Sequence, residues 1–232
     1  MPHAGIHLLC PLAVEARGLR GLGDSVHGPI VVGPLEGPAK WLAAHAASLA
    51  PRADGRAPTV VLAGVAGGLR ERPLAGEALI VDEVFDEAGA SWRSPIVLPG
   101  DRTGAPSRGA VVAVSAVAGP SAKRALAARH ARACVVDMES AEFAAAAQEL
   151  GVPWLVVRGV SDGVDHDLPD EIMSWIAPDG STRAGAVAAA LLRRPSLVPT
   201  AIQFGRRTAA AMRSVRAILR ALLPLLDARP PA

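Results

Sequence analysis

The chain has 232 residues, 50% of them hydrophobic, with 24 Lys+Arg against 22 Asp+Glu and a formal net charge of +2. That length fits one α/β domain with an ample core, and 20% charged residues argues against wholesale disorder. The charge is too small to point to nucleic acid, and four Trp, three Phe and no Tyr give no stacking platform for single strands. Cys10 and Cys134 sit in apolar strand-like runs and read as core fillers, with no CxxC or metal-ligand spacing. No signal-peptide pattern precedes the first strand, and no apolar run reaches the ~18 residues of a membrane span. A reduced, cytoplasmic, soluble protein is expected.

In chain order, Ile6–Cys10 reads as a first strand and Pro11–Leu19 as a helix with proline in its first turn. Ile30–Val32 follows as a strand, then a loop from Gly33 to Pro38 and a helix over Ala39–Leu49. Thr59–Ala63 is a strand ending in the glycine-rich loop Gly64-Val65-Ala66-Gly67-Gly68-Leu69, and Glu77–Val84 is another strand. Residues 86–108 are rich in Gly, Pro, Ser and Arg and read as irregular; with Trp92 they could form a pocket wall or a lid. Ala110–Ser115 is a strand and Ser121–Arg129 a helix. An apolar strand then stops at Asp137-Met138-Glu139, a helix of small residues runs from Ser140 to Leu150, and a strand from Trp154 to Val160 ends in Ser161-Asp162. A Pro/Asp/Gly stretch at 163–182 leads into helices over Ala184–Arg193 and 198–223. Strands alternating with helices predict an α/β fold with a mixed, mostly parallel twisted sheet, as a single domain over 1–232 whose last part, 183–232, is a helical extension.

Two strands thus deliver a carboxylate at or just past their C-terminal ends. One βαβ crossover would put Glu139 and Asp162 on the same rim of the sheet, where ligands bind in open α/β folds. Met138, apolar and adaptable beside a carboxylate, suits a sugar with one apolar face and one hydroxyl edge. The plainer alternative is a helix-start charge at Glu139 and a turn at Ser161-Asp162. Arg158 reads as a buried arginine paired with a carboxylate. His7 and His45 read as structural, and His166, in Asp165-His166-Asp167, as an exposed turn more readily than a metal ligand.

Asp-Met-Glu-Ser-Ala-Glu-Phe (137–143) and Val-Pro-Trp-Leu-Val-Val-Arg-Gly-Val-Ser-Asp (152–162) resemble the purine nucleoside phosphorylase/uridine phosphorylase superfamily. Within it they are most similar to the methylthioadenosine/S-adenosylhomocysteine nucleosidase branch. The glycine-rich stretch at 64–69, Ala75-Gly76-Glu77-Ala78-Leu79-Ile80 after it and a second glycine loop from Gly33 to Lys40 occur in the family's order, so the resemblance spans residues 5–165. It implies that Glu139 takes the ribose 2′- and 3′-hydroxyls and that Met138 packs on the sugar. Val65, Ala66 and Gly67 would line the nucleoside, and Ser161 would orient Asp162. Asp162 would pass a proton to N7 of the departing purine, which requires a carboxyl whose pKa is raised by burial.

Many phosphorylases of the superfamily end the first strand in Gly-Asp-Pro-x-Arg, whose arginine binds phosphate. Here the stretch is Pro11-Leu12-Ala13-Val14-Glu15, and the nucleosidases carry a glutamate at that place, which activates water. Val65 stands where phosphate-binding members and many nucleosidases carry a serine, and no arginine precedes it. A carboxylate repels a phosphate dianion and serves water as a general base, so hydrolysis is expected over phosphorolysis, although Arg17 lies close enough to serve a phosphate.

Met173-Ser174-Trp175-Ile176-Ala177-Pro178-Asp179-Gly180 and the Leu191–Pro199 stretch, followed by an Ala/Arg/Leu helix, resemble the hopanoid-associated branch. That branch removes adenine from adenosylhopane; the chain departs from it at Ser161-Asp162-Gly163, where Ala-Asp-Pro is expected. The resemblance implies a homodimer with no cofactor and no metal. The helix over 202–223 spaces Arg206, Arg213, Arg216 and Arg220 around an apolar face. It would either lie at an anionic membrane or pack on the domain or a partner subunit. Three functions stay open: a nucleosidase, a phosphorylase using the same site, and a non-catalytic nucleoside sensor or partner subunit.

Overall fold

The computed structural model describes residues 5–53, 55–98, 106–166 and 170–228. Residues 99–105 of the stretch expected to be irregular, and Asp167 of the turn around His166, lie outside the described residues.

Eight strands form one mixed sheet. Strands β1 (Ile6–Cys10), β2 (Val26–Val31) and β3 (Thr59–Gly68) are parallel neighbours in the order β2-β1-β3. The remaining strands are β4 (Ala78–Phe85), β5 (Ser91–Arg93), β6 (Ser107–Ala113), β7 (Ala133–Asp137) and β8 (Trp154–Asp162). Strand β8 lies parallel to β3 on one side and antiparallel to β4 on the other. Strand β4 pairs β6, β6 pairs β7, both parallel, and β7 returns antiparallel to the far end of β3. The circuit β3-β8-β4-β6-β7-β3 therefore closes on itself, leaving β1, β2 and β5 as outer strands.

The expected parallel crossover from β7 to β8 is not what forms. The two strands are not neighbours, and because β7 is antiparallel to β3 while β8 is parallel to it, they run in opposite directions. Their C-terminal ends still meet. Gly67 pairs with Val136 of β7 on one edge and Asp162 of β8 on the other, so both carboxylate-bearing ends converge on the end of β3. The glycine-rich stretch at 64–68 is consequently strand and not loop: β8 pairs it from Gly64 to Gly67 along one edge, and β7 takes up Gly67 and Gly68 on the other.

Seven α-helices flank the sheet among the described residues: α1 (Ala13–Gly18), α2 (Gly33–Ala44), α3 (Ala46–Leu49), α4 (Pro120–Arg129), α5 (Ser140–Glu149), α6 (Ala184–Arg193) and α7 (Leu197–Asp227). The loop expected at Gly33–Pro38 is instead the first turn of α2, broken at Gly37, whose φ of 67° and ψ of 164° are non-helical. A Cβ there would come 2.6 Å from Glu142 Oε1, so glycine also makes room for α5. The stretch at 86–108 contains β5, hairpinned onto β4 through Val84 and Trp92. Trp92 packs against the core with Val84 and Trp154 and lines neither of the two cavities described below.

Helix α7 is not a peripheral appendage. Met212, Val215, Leu219, Leu222 and Leu226 are buried against β1, β3, β4 and β8. Its closest approach is at Gly159, where a Cβ would lie 2.8 Å from Ala211 O. Most of the apolar face that could have met a membrane is thus core, with Val198 and Ile202 exposed in its first turns and Leu225 in its last. Arg216 turns inward to donate to the carbonyls of Gly18 at 3.0 Å and Arg20 at 2.7 Å, which holds the C-terminal end of α1. No described helix is long and apolar enough to cross a membrane.

Candidate active site

Where β3, β7 and β8 end together, a cavity of about 170 Å³ opens. Glu15, Val65, Ala66, Gly67, Met138, Glu139, Ser161 and Asp162, all drawn from the sequence as site residues, line it. Ile172, Ile176 and Phe204 close it from the C-terminal part of the chain.

Glu15 sits in the first turn of α1, almost fully buried. Both its oxygens are held by backbone. Val65 N donates to Oε1 at 2.7 Å and Leu12 N donates to Oε2 at 2.8 Å. Gly64 makes this possible, because a Cβ there would come 2.6 Å from Glu15 Oε1 and 2.7 Å from Arg158 Nη1. The start of α1 is itself pinned from the C-terminal stretch, with Ala13 N donating to Gly180 O at 2.9 Å. Burial pushes the Glu15 carboxyl up to about 7, against the pull of Arg158 and the two backbone donors. Arg17 projects on the other side of α1 and does not line this cavity.

Arg158, from the middle of β8, is fully buried, pairs with two carboxylates and acts on Glu15 through space. Its Nη2 lies 2.6 Å from Asp137 Oδ2 and 3.5 Å from Glu139 Oε2, and it donates to Ser140 Oγ at 3.2 Å. Asp137 closes β7 and opens α5, accepting from Ser140 N at 3.2 Å and from the Ser140 hydroxyl. The buried arginine–carboxylate pair expected from sequence is present, and Asp137 is its partner. Glu139, half-buried at the start of α5, has its pKa raised by burial, with Arg158 opposing and Asp137 and Glu15 adding to the rise. One guanidinium among three carboxyls leaves Glu15 and Glu139 able to hold protons near neutrality.

Across the cavity, Asp162 is buried at the end of β8. The Ser161 hydroxyl donates to its Oδ1 at 2.6 Å, the orienting contact expected of Ser161. The other oxygen is not in apolar surroundings, as an acid raised by burial alone would require. It accepts from the ammonium of Lys123, an α4 residue as buried as Asp162 itself. Sequence reasoning missed Lys123. The available signal was compositional: it is one of two lysines, with Lys40, in a chain whose other basic residues are arginine. Helix α4 is fixed in place by Arg70, which donates to the carbonyls of Ala127 at 2.6 Å, Ala131 at 2.9 Å and Ala133 at 3.1 Å.

A second cavity of about 610 Å³ adjoins the first, sharing Leu12, Ile172, Ile176 and Phe204 with it. Val14, Trp175, Val187, Ala201 and Met212 give it apolar walls, with Arg17 and Arg213 beside them. It lies between α1, the segment before α6, and α7. His166 accepts at Nδ1 from Gly163 N at 3.2 Å, and no group of metal-ligating side chains occurs among the described residues.

The family model of the Phosphorylase superfamily matches residues 100–193. No curated protein sequence matches the chain significantly. Among solved structures, the 5′-methylthioadenosine/S-adenosylhomocysteine nucleosidase of S. pneumoniae with a transition-state inhibitor is 18% identical, with a TM-score of 0.62 over 96% of this chain and 100% of that one. The futalosine hydrolase of Helicobacter pylori is 14% identical, with a TM-score of 0.61 over 95% and 97%. The 5′-methylthioadenosine nucleosidase of Arabidopsis thaliana is 15% identical, with a TM-score of 0.59 over 99% and 98%. These likenesses establish the fold, a nucleosidase-type α/β architecture with a C-terminal helix, over essentially the whole chain.

Proposed function

We propose that the protein hydrolyses the N-ribosidic bond of a 5′-substituted adenine nucleoside, with adenosylhopane as substrate. The observation that carries this reading is the opposition, across one small cavity, of a backbone-seated carboxyl, Glu15, and a second carboxyl, Asp162, with Met138 and Glu139 between them. Glu15 takes a proton from water as the oxygen attacks C1′, Glu139 holds the ribose hydroxyls, and Asp162 hands a proton to the purine as the C1′–N9 bond breaks. Separation of charge in this order suits an oxocarbenium-like transition state flanked by carboxylates.

Phosphorolysis fits the lining less well. Glu15, Asp137, Glu139 and Asp162 face the cavity, and among the described residues Lys123 is the one cation that lines it, already committed to Asp162. Arg17, the residue that could have served phosphate, faces the adjoining chamber. A phosphate dianion would meet four carboxyl groups and, among the described lining residues, no uncommitted cation.

The adjoining chamber supports the choice of 5′ substituent. Its volume falls in the range of cavities that hold drug-sized apolar ligands, ~300–1,000 Å³, whereas a methylthio group would fill a small fraction of it. The same reading takes the working unit as a homodimer that needs no cofactor. Adenine release from adenosylhopane, methylthioadenosine and S-adenosylhomocysteine, measured side by side, tests the assignment. The expected result is a kcat/KM at least about 100-fold higher for the lipid-linked nucleoside. Equal or better turnover of methylthioadenosine would remove the hopanoid substrate and leave the nucleosidase reading standing.

A further inference from the structure

Lys123 is 1% exposed, and its ammonium donates to Asp162 Oδ2, to Gly163 O at 3.0 Å and to His166 O at 3.4 Å. Three acceptors match the three protons of a charged amine, so this geometry holds the lysine as ammonium. The contact is made by design of the backbone. A Cβ on Gly67 would sit 3.2 Å from Lys123 Cε and 3.4 Å from Asp162 Oδ2, so the strand end that frames the cavity also leaves the lane through which the lysine reaches the carboxylate. Burying a lysine this deeply is unfavourable unless it is paired. A plain structural role would be met as well by an apolar residue.

We propose that Lys123 is the positioning residue that keeps a proton available to Asp162, so that the acid for the leaving purine is the Lys123–Asp162 pair. The proposal rests on the nucleosidase reading of the site. As the C1′–N9 bond breaks and its electrons pass to the purine, the lysine proton moves from Nζ to the Asp162 carboxylate, and the carboxyl so formed passes a proton to N7. Lysine is left neutral, and Asp162 is a carboxylate before and after the transfer. The water that attacks C1′ leaves a proton on Glu15, and solvent returns that proton to Nζ, which closes the cycle.

The pair answers a conflict within the site. Glu15 must lose its proton to act as base, and burial places that loss at about 7. Asp162 accepts from an ammonium and a hydroxyl, so it has no proton of its own to give. Lys123, with an acceptor for each of its three ammonium protons, brings one to that carboxylate. Among the described residues, the titratable groups facing the pair are the ring of His166 on the loop after β8 and, across the cavity, Glu15, Asp137 and Glu139, the last two paired with Arg158, while Arg124 and Asp165 pair on the exposed side.

The test compares an adenine nucleoside bearing the accepted 5′ substituent with its N7-methylated counterpart, whose base is already cationic and needs no proton to leave. Wild type, Lys123→Met and Lys123→Arg are assayed for kcat/KM from acid to alkaline pH. With the adenine nucleoside, wild type should keep its rate above neutrality. Lys123→Met should lose at least about tenfold at alkaline pH, with the basic limb of its profile moved toward acid. Lys123→Arg should retain the wild-type limb, and all three should hydrolyse the N7-methylated nucleoside within a few-fold of one another. Equal loss on both substrates with an unmoved limb would overturn the proposal, as would a wild-type rate that already falls through neutrality on its basic side. If wild type releases base from neither nucleoside, the nucleosidase reading itself fails.

Discussion

Glu15→Gln is expected to lower the hydrolytic kcat by about 100- to 10,000-fold, the range for loss of a general base, while the protein stays folded. The amide keeps the carboxylate's shape and can still accept from Val65 N or Leu12 N at one atom, so the stability change should be about 1 kcal/mol. Thermal unfolding and steady-state kinetics on the same preparations separate the two effects. The substitution also has a pH signature. Because burial raises Glu15 to about 7 from 4.5, the folded protein binds a proton there that the unfolded chain has lost. The stabilisation tied to that proton is full below 4.5 and declines as pH rises through about 7. Activity follows the opposite course and rises through the same window as the carboxylate forms. Glu15→Gln should flatten that part of the stability profile and leave no activity to rise.

Arg158→Met should be the most destabilising single change in the site. It removes the guanidinium that faces Asp137 at 2.6 Å, Glu139 at 3.5 Å and, through space, Glu15. Three carboxyls would then share a buried region with no cation. Loss of one partner from a buried ion pair costs about 3–5 kcal/mol, to be read from denaturant midpoints. The methionine fills much of the same volume, so the cost reports charge more than a void. The double variant Asp137→Asn/Arg158→Met should recover part of the loss, since it removes a carboxylate left without its counter-charge. A full recovery would mean that the network exists for chemistry and contributes nothing to stability.

The strand ends that build the site were legible because their signals are local. Apolar runs stop at Asp137 and at Ser161-Asp162, and Gly151, with φ of 64°, turns the chain between them. Buried β-branched strands and small-residue helices leave a plain pattern. Strand direction leaves none. The sequence of β7, α5 and β8 is compatible with a parallel crossover, and only the insertion of β3 between the two strands, through Gly67 and Gly68, sets them antiparallel. Those glycines carry no side chains to show a period-two alternation, which is why a strand read as a loop. Lys123 lies 39 residues from Asp162 along the chain, and no spacing rule reaches across that distance. The basic amphipathic character of α7 was visible, yet amphipathicity does not say what the apolar face meets. Here Gly159 lets the helix backbone close onto β8, and the face became core.

Water attack on C1′ at Glu15 is tested by turnover in heavy-oxygen water, with and without added inorganic phosphate. Adenine release should be independent of phosphate, with one heavy oxygen incorporated at C1 of the sugar product. A requirement for phosphate, with a sugar 1-phosphate that carries no label from the water, would contradict it.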